Sequence, residues 1–298
     1  SKINGSYVRE ALATGLSISK KTGSNPFKFG VIGSSDSHVA GGSYDEKDYW
    51  SKVGILDSSP EKRGSIPPNG SKSWEGIEQT ERSKNWYSKW GASGLAGVWA
   101  EENSRSAIFD AFQRKEVYGT SGPRFIVRFF VGDNLDKNMC NNPDNISYAY
   151  ANATPMGGTI SSDSLAQPSI FISASADSSI KDQFIEKLQV VKGVVRNGEL
   201  LTSIHDVGVT DTQSKLDISN CEVTGSGEKA MCSVWNDPNF NSSENAYYYV
   251  RVVANKSCRW SHNLCLQNPE YCEADSDASI PKVIQERAWT SPVWLETT

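Results

Sequence analysis

The sequence predicts an α+β protein, a partial α/β barrel segment over residues 1–122 followed by a β-sandwich over residues 123–298. Three observations carry this reading. Up to about Gly122 apolar residues recur at helical spacing between short buried runs, whereas beyond Pro123 they alternate in stretches separated by Gly, Asn, Asp and Pro clusters. The third observation is size: 298 residues, 37% hydrophobic, exceed what one typical core needs, so two domains are expected.

Residues 6–21 put Tyr7, Val8, Ala11, Leu12 and Leu16 on one helical face, with Ser6 as a candidate cap and Lys20, Lys21 and Gly23 as stop signals. An apolar run, Phe27 to Ile32, ends abruptly at Gly33-Ser34-Ser35-Asp36-Ser37-His38, which reads as a buried strand with polar residues at its carboxyl end. From 39 to 93 the chain is rich in Gly, Ser, Pro and charge and carries Trp50, Trp74, Trp86 and Trp90. A loop of that length is expected to be functional or mobile. A second buried strand is expected at Gly94–Trp99, then a helix with Ala107, Ile108, Ala111 and Phe112 inward, capped by Asn103 or Ser104. Five sandwich strands follow, Phe125–Val131, Ser169–Ser175, Lys187–Val195, Ala246–Ala254 and Lys282–Trp289.

A net charge of -5 without a Lys/Arg cluster argues against nucleic acid and membrane surfaces as partners. No apolar run approaches the roughly 20 residues of a membrane-spanning helix. Six cysteines, all in the second half, favour disulfides and an oxidising compartment over buried thiols. Their connectivity stays open, and the equal spacing of Cys258, Cys265 and Cys272 is not that of a zinc knuckle.

Asp36-Ser37-His38 is the sharpest chemical feature. Alternate residues of an extended segment face the same way, so a carboxylate and an imidazole converge on one cation, a donor set suited to zinc, manganese or iron. Against it stands a polar turn with Asp36 as a backbone cap. His205 and His262, the only other histidines, fall in the expected sandwich and read as packed residues. Glu101 and Glu102 stand at the end of the second buried strand, one of them a candidate ligand or general base and Glu101 the one assigned, with favourable charge at a helix start as the duller account. Arg105 and Arg124 are candidate clamps for an anionic substrate. The loop tryptophans read either as a stacking surface or as anchors for the loop.

The runs Asn25 to Gly30 and Ser35 to His38, Val98 to Arg105, Tyr118 to Arg124, Arg259-Trp260-Ser261 and Glu286 to Pro292 resemble the second half of the bacterial family called domain of unknown function 3604. That family is similar in turn to the PHP superfamily of metal-dependent phosphoesterases, distorted α/β barrels. The resemblance implies that Asp36 and His38 match the closing Asp-x-His metal motif, while the opening His-x-His and the middle His and Glu ligands are absent. It therefore implies the carboxy-terminal part of a PHP-like hydrolase, periplasmic or secreted, using a divalent metal; it implies no substrate, and a small anionic ester is expected only by analogy of fold. A missing amino-terminal half or a second chain would complete the site. The alternative is a non-enzymatic sandwich binding module with a degenerate α/β remnant, taking glycans on exposed tryptophans.

Overall fold

A computed structural model describes residues 5, 7–40, 45–63, 71, 76, 90–91, 94–211, 213–267 and 281–297. Ser6, Trp74, Trp86 and Cys272, each singled out above, lie outside the described residues. The first helix, α1 (Val8–Thr22), opens at Tyr7 with no side-chain cap. It stops at Gly23, whose φ of 77° is the left-handed conformation that glycine adopts without steric cost. A helical turn, α2 (Pro60–Arg63), precedes β1 (Leu95–Val98), α3 (Arg105–Gln113) and β2 (Val117–Thr120). The Ser104 hydroxyl accepts from the Ala107 N–H at 3.3 Å, so it caps α3 as expected.

The chain continues through β3 (Ile126–Asp133), α4 (Asn145–Asn152), β4 (Ala153–Pro155), β5 (Thr159–Ser161), β6 (Pro168–Ser175), β7 (Ile185–Arg196) and β8 (Glu199–Val209). It ends with β9 (Lys215–Asp217), β10 (Glu222–Thr224), β11 (Ala230–Asn236), β12 (Ala246–Cys258), α5 (Trp260–Gln267), β13 (Val283–Thr290) and β14 (Val293–Glu296).

Two sheets form a sandwich. In the larger, β12 pairs with β7 along one edge, and its other edge is shared by β14 and β13; β8 extends beyond β7, β2 and β1 beyond β13, and β5 beyond β14. The smaller runs β11-β6-β3-β4. Between them lies the main core. Alternate residues of β3 (Val127, Phe129, Val131), β6 (Ile170, Ile172), β7 (Leu188, Val190) and β12 (Tyr248, Val250, Val252) meet there, all fully buried. Burial of this kind is worth roughly 1.5–3 kcal/mol per large side chain, which is why the alternation was so readable in sequence. The opposite face of the larger sheet receives α1, whose Leu12 and Leu16 pack on Val191, Val195, Tyr247, Tyr249 and Trp294. The outer face of the smaller sheet is covered by Leu135, Met139 and Ala149 over Phe130 and Phe171.

The expected α/β barrel segment is not there. Among the described residues the sheets are antiparallel except for β5 against β14, and β1 and β2, on either side of α3, pair antiparallel to each other. A barrel needs parallel neighbours, and here the free edge of β2 is satisfied by β13 instead, Thr120 opposite Ala288 and Tyr118 opposite Thr290. The larger sheet thus runs across residues 122 and 123. The apolar run Phe27–Ile32 joins no ladder. It crosses over β2, with the Val31 N–H donating to Ser291 Oγ at 2.9 Å and the Gly33 N–H to the Leu95 carbonyl at 3.1 Å. Glycine is required at the crossing: a Cβ on Gly33 would stand 2.4 Å from the Thr120 oxygen, and one on Gly119 2.5 Å from the Gly33 nitrogen.

The disulfide expectation holds. Cys140 is bridged to Cys232 and Cys221 to Cys258, and Cys265 is disulfide-bonded to a partner outside the described residues. Such bonds mark a chain that lives outside the reducing cytoplasm. No described helix is long and apolar enough to cross a membrane.

Candidate functional site

Asp36 and His38 meet at a turn rather than on an extended strand. Asp36 has a φ of 58°, which breaks the alternation, and the turn brings the His38 ring back so that Nδ1 lies 2.7 Å from the Asp36 carbonyl oxygen. A carbonyl only accepts, so Nδ1 is the donor in this contact and Nε2 is the ring nitrogen left for another partner. Both side chains are exposed. The turn is anchored by the His38 N–H donating to the Lys52 carbonyl at 2.7 Å.

Lys52 belongs to a compact polar module in the long loop, centred on the fully buried Asp57. That carboxylate accepts from Ser51 Oγ at 2.6 Å and from the N–H groups of Lys52 and Val53 at 2.8 and 2.9 Å. Burial raises its pKa, but these bonds win and hold the group below its ordinary value. Arg63 donates to the Asp57 carbonyl at 3.0 Å and its guanidinium sits near both the Tyr49 and Trp260 rings. The Trp260 indole donates to the Trp90 carbonyl at 2.8 Å, and the Lys52 ammonium lies 4.8 Å from the Trp90 ring centre. Trp90 thus anchors the loop, whereas Trp50 is exposed. Burial lowers the Lys52 pKa, opposed by the charges of Asp36 and Asp57, so the Asp36 carboxylate already has a cationic neighbour.

The remaining sequence candidates stand on other stretches. Glu101 is exposed in the turn between β1 and α3, and Arg105 is exposed as the first residue of α3; neither makes a hydrogen bond or ion pair with Asp36 or His38. Arg124 is exposed, and its backbone N–H donates to Asp177 Oδ2 at 2.8 Å. Burial raises the Asp177 pKa, but bonds from Ser179 and Arg124, with the Arg124 charge, bring it below its ordinary value. His262 is buried with Nε2 2.8 Å from the Ile218 carbonyl, and His205 stacks beside Trp235, so both are packed residues. Cys221, Cys258 and His262 are the one cluster of three metal-type donors among the described residues, and its sulfurs are consumed in the disulfide.

Sequence reasoning missed a pair of buried carboxylates. Glu286 on β13 and Glu46 in the loop both line a cavity of about 290 Å³, beside the Cys221–Cys258 bridge. Burial first, then the Glu46 and Asp45 charges, push the Glu286 pKa up to about 8, against a bond from the Ser121 hydroxyl. Glu286 is therefore protonated near neutrality. Glu46 accepts from the Trp260 N–H at 2.6 Å. The signal was available: in the alternating run Ile284-Gln285-Glu286-Arg287-Ala288, a Glu occupies the same phase as the buried Ala288.

The family model described as protein of unknown function, DUF3604, matches residues 1–297. The chain belongs to this family. No curated protein and no solved structure matches it.

Proposed function

We propose that this DUF3604 chain contributes part of the active site of a PHP-like, metal-dependent hydrolase acting on small anionic esters in the periplasm or outside the cell. The observation that carries the reading is the fixed His38 tautomer. A ring whose Nδ1 donates to a backbone carbonyl presents Nε2 as a ready ligand, the usual arrangement behind metal-binding histidines. With the Asp36 carboxylate on the same turn, the donor types fit zinc, manganese or iron. They are two of the three or more ligands a catalytic ion needs, so this reading requires further ligands from outside this chain, from a missing amino-terminal half or a second chain. Such an ion would supply an acidified water and stabilise oxyanion charge. The chain's own part is to hold Asp36 and His38 on a turn pinned through Lys52, with Glu101, Arg105 and Arg124 as base and substrate-clamp candidates.

Isothermal titration of the purified chain with zinc and manganese tests this, together with Asp36→Ala, His38→Ala and hydrolysis of nitrophenyl phosphate. The expected result is binding weakened at least about tenfold in each variant, and hydrolysis that needs the metal. Unchanged binding in both variants removes Asp36 and His38 from the site.

One observation favours a second reading, acid–base hydrolysis at the Glu46–Glu286 cavity. Two neighbouring carboxylic groups, one kept protonated near neutral pH, are the arrangement that divides acid and base roles. It predicts hydrolysis insensitive to chelator and abolished in Glu286→Gln.

A further inference from the structure

The face of the larger sheet that receives α1 is only partly covered. Beyond the start of the helix lies an open cleft of about 400 Å³, walled by Tyr7, Arg9, Ile32, Tyr249, Arg251 and Trp289. Strand phase builds it. Tyr249 and Arg251 point the same way along β12, and Trp289 sits directly opposite Arg251 on β13, with Arg287 two residues away on the same face.

The charges in this cleft are unbalanced. Arg251 donates from Nε to Gln189 Oε1 at 2.7 Å, and no other side chain among the described residues bonds it. Gln189 in turn donates to Asp206, whose other oxygen is held by Lys187 at 3.0 Å, so the neighbouring carboxylate is already neutralised. Arg9 and Arg287 make no side-chain hydrogen bond or ion pair among the described residues, and Arg287 Nε is buried without a partner. Burial, then the like charges of Arg287 and Arg9, depress the Arg251 pKa against the opposing effects of Tyr249 and Asp206. Arg251 and Arg9 line one cleft and repel each other, Arg287 adds to that repulsion from outside it, and the Asp206 charge that acts on Arg251 is shared with Lys187, so a bound anion relieves the like-charge cost.

We propose that this cleft is a binding site for a phosphate or sulfate monoester with a flat ring, the oxyanion held by Arg251 and Arg9 and the ring lying against Trp289 and Tyr249. Two forked guanidinium groups match a tetrahedral oxyanion, and the aromatic walls match a flat hydrophobic body. The inference does not rest on the metal reading, since none of its groups is a proposed metal ligand.

Calorimetric titration of the full chain with naphthyl phosphate, naphthyl sulfate, inorganic phosphate and neutral naphthol tests it without any activity readout. Both esters are expected to bind more tightly than inorganic phosphate, and naphthol to bind at least about tenfold more weakly than either ester. Affinity for the esters should fall as salt is raised. Arg251→Gln should weaken the esters about tenfold and Arg9→Gln by a smaller factor, while Arg196→Gln, at a surface pair with Glu244, leaves them unchanged. Circular dichroism checks that each variant is folded, and Arg251→Lys, which keeps the charge and loses the fork, should fall between wild type and Arg251→Gln. Selective binding of one ester identifies its oxyanion as the ligand chemistry. Wild-type affinity in Arg251→Gln, equal binding of naphthol, or no binding of either ester overturns the proposal.

Discussion

The sandwich and the segment 24–63 are held by different physics. In the sandwich the work is done by area: β3, β6, β7 and β12 bury alternate apolar side chains between two sheets, and disulfides tie Cys140 to Cys232 and Cys221 to Cys258. The described residues of the segment 24–63 make no ladder with either sheet; single hydrogen bonds to Ser291 and Leu95, glycine-permitted backbone contact and the Asp57 carboxylate fix their course. Area-driven structure is cooperative and insensitive to any one bond, whereas a segment fixed by a few polar contacts opens locally when one is lost. The candidate metal turn, Asp36 to His38, belongs to the second kind.

The contrast breaks most visibly in the core. Phe129→Ala empties a fully buried position between the sheets and should cost about 4 kcal/mol. Denaturant melting followed by far-ultraviolet circular dichroism should show one transition shifted to a lower midpoint, because the sandwich unfolds as a unit. A separate early transition for the smaller sheet would mean that the two sheets are not one cooperative body.

A pH titration of stability probes where the two regions meet. Glu286, on a sandwich strand, faces Glu46 from the loop, and its folded pKa of about 8 lies above the ordinary carboxylate value. A raised carboxyl binds more protons folded than unfolded, so its stabilising contribution is complete below the unfolded pKa and is lost as pH rises through about 8. The loss should be on the order of 4 kcal/mol between pH 5 and 9. Glu286→Gln, which keeps the shape and cannot ionise, should flatten that slope; an unchanged slope would place its origin elsewhere.

What could be read in the sequence follows the same division. The five long sandwich strands and α1 were legible because burial on one face writes a period of two or 3.6 into the chain. β8 was not: Leu200, Leu201 and Ile204 are all exposed on it, so no alternation marks it. The barrel reading failed at Phe27–Ile32 because a short apolar run fits a buried strand and a crossing segment equally well. The glycines that decide between them, Gly33 and Gly119, act through partners remote in sequence. Asp36 and His38 were visible as residue types, but their pairing through the Asp36 carbonyl depends on one left-handed residue that no spacing rule anticipates. Glu286 was missed because its partner Glu46 is far away in the chain and arrives only once the loop has docked on Trp260.

The smallest expected effect is the most local. Asp57→Ala leaves the Ser51 hydroxyl and the Lys52 and Val53 N–H groups without their acceptor, a loss of about 2 kcal/mol for bonds to a charged group. Because those bonds order the loop and not the sandwich, global melting should move by less than about 0.5 kcal/mol, while hydrogen exchange across 45–63 accelerates. The Lys52 carbonyl that anchors the His38 N–H sits inside the freed stretch, so amide protection at His38 should fall with it. If exchange at His38 stays at the wild-type rate while 45–63 opens, the candidate turn is self-supporting. Its tautomer lock would then survive any movement of the loop around it.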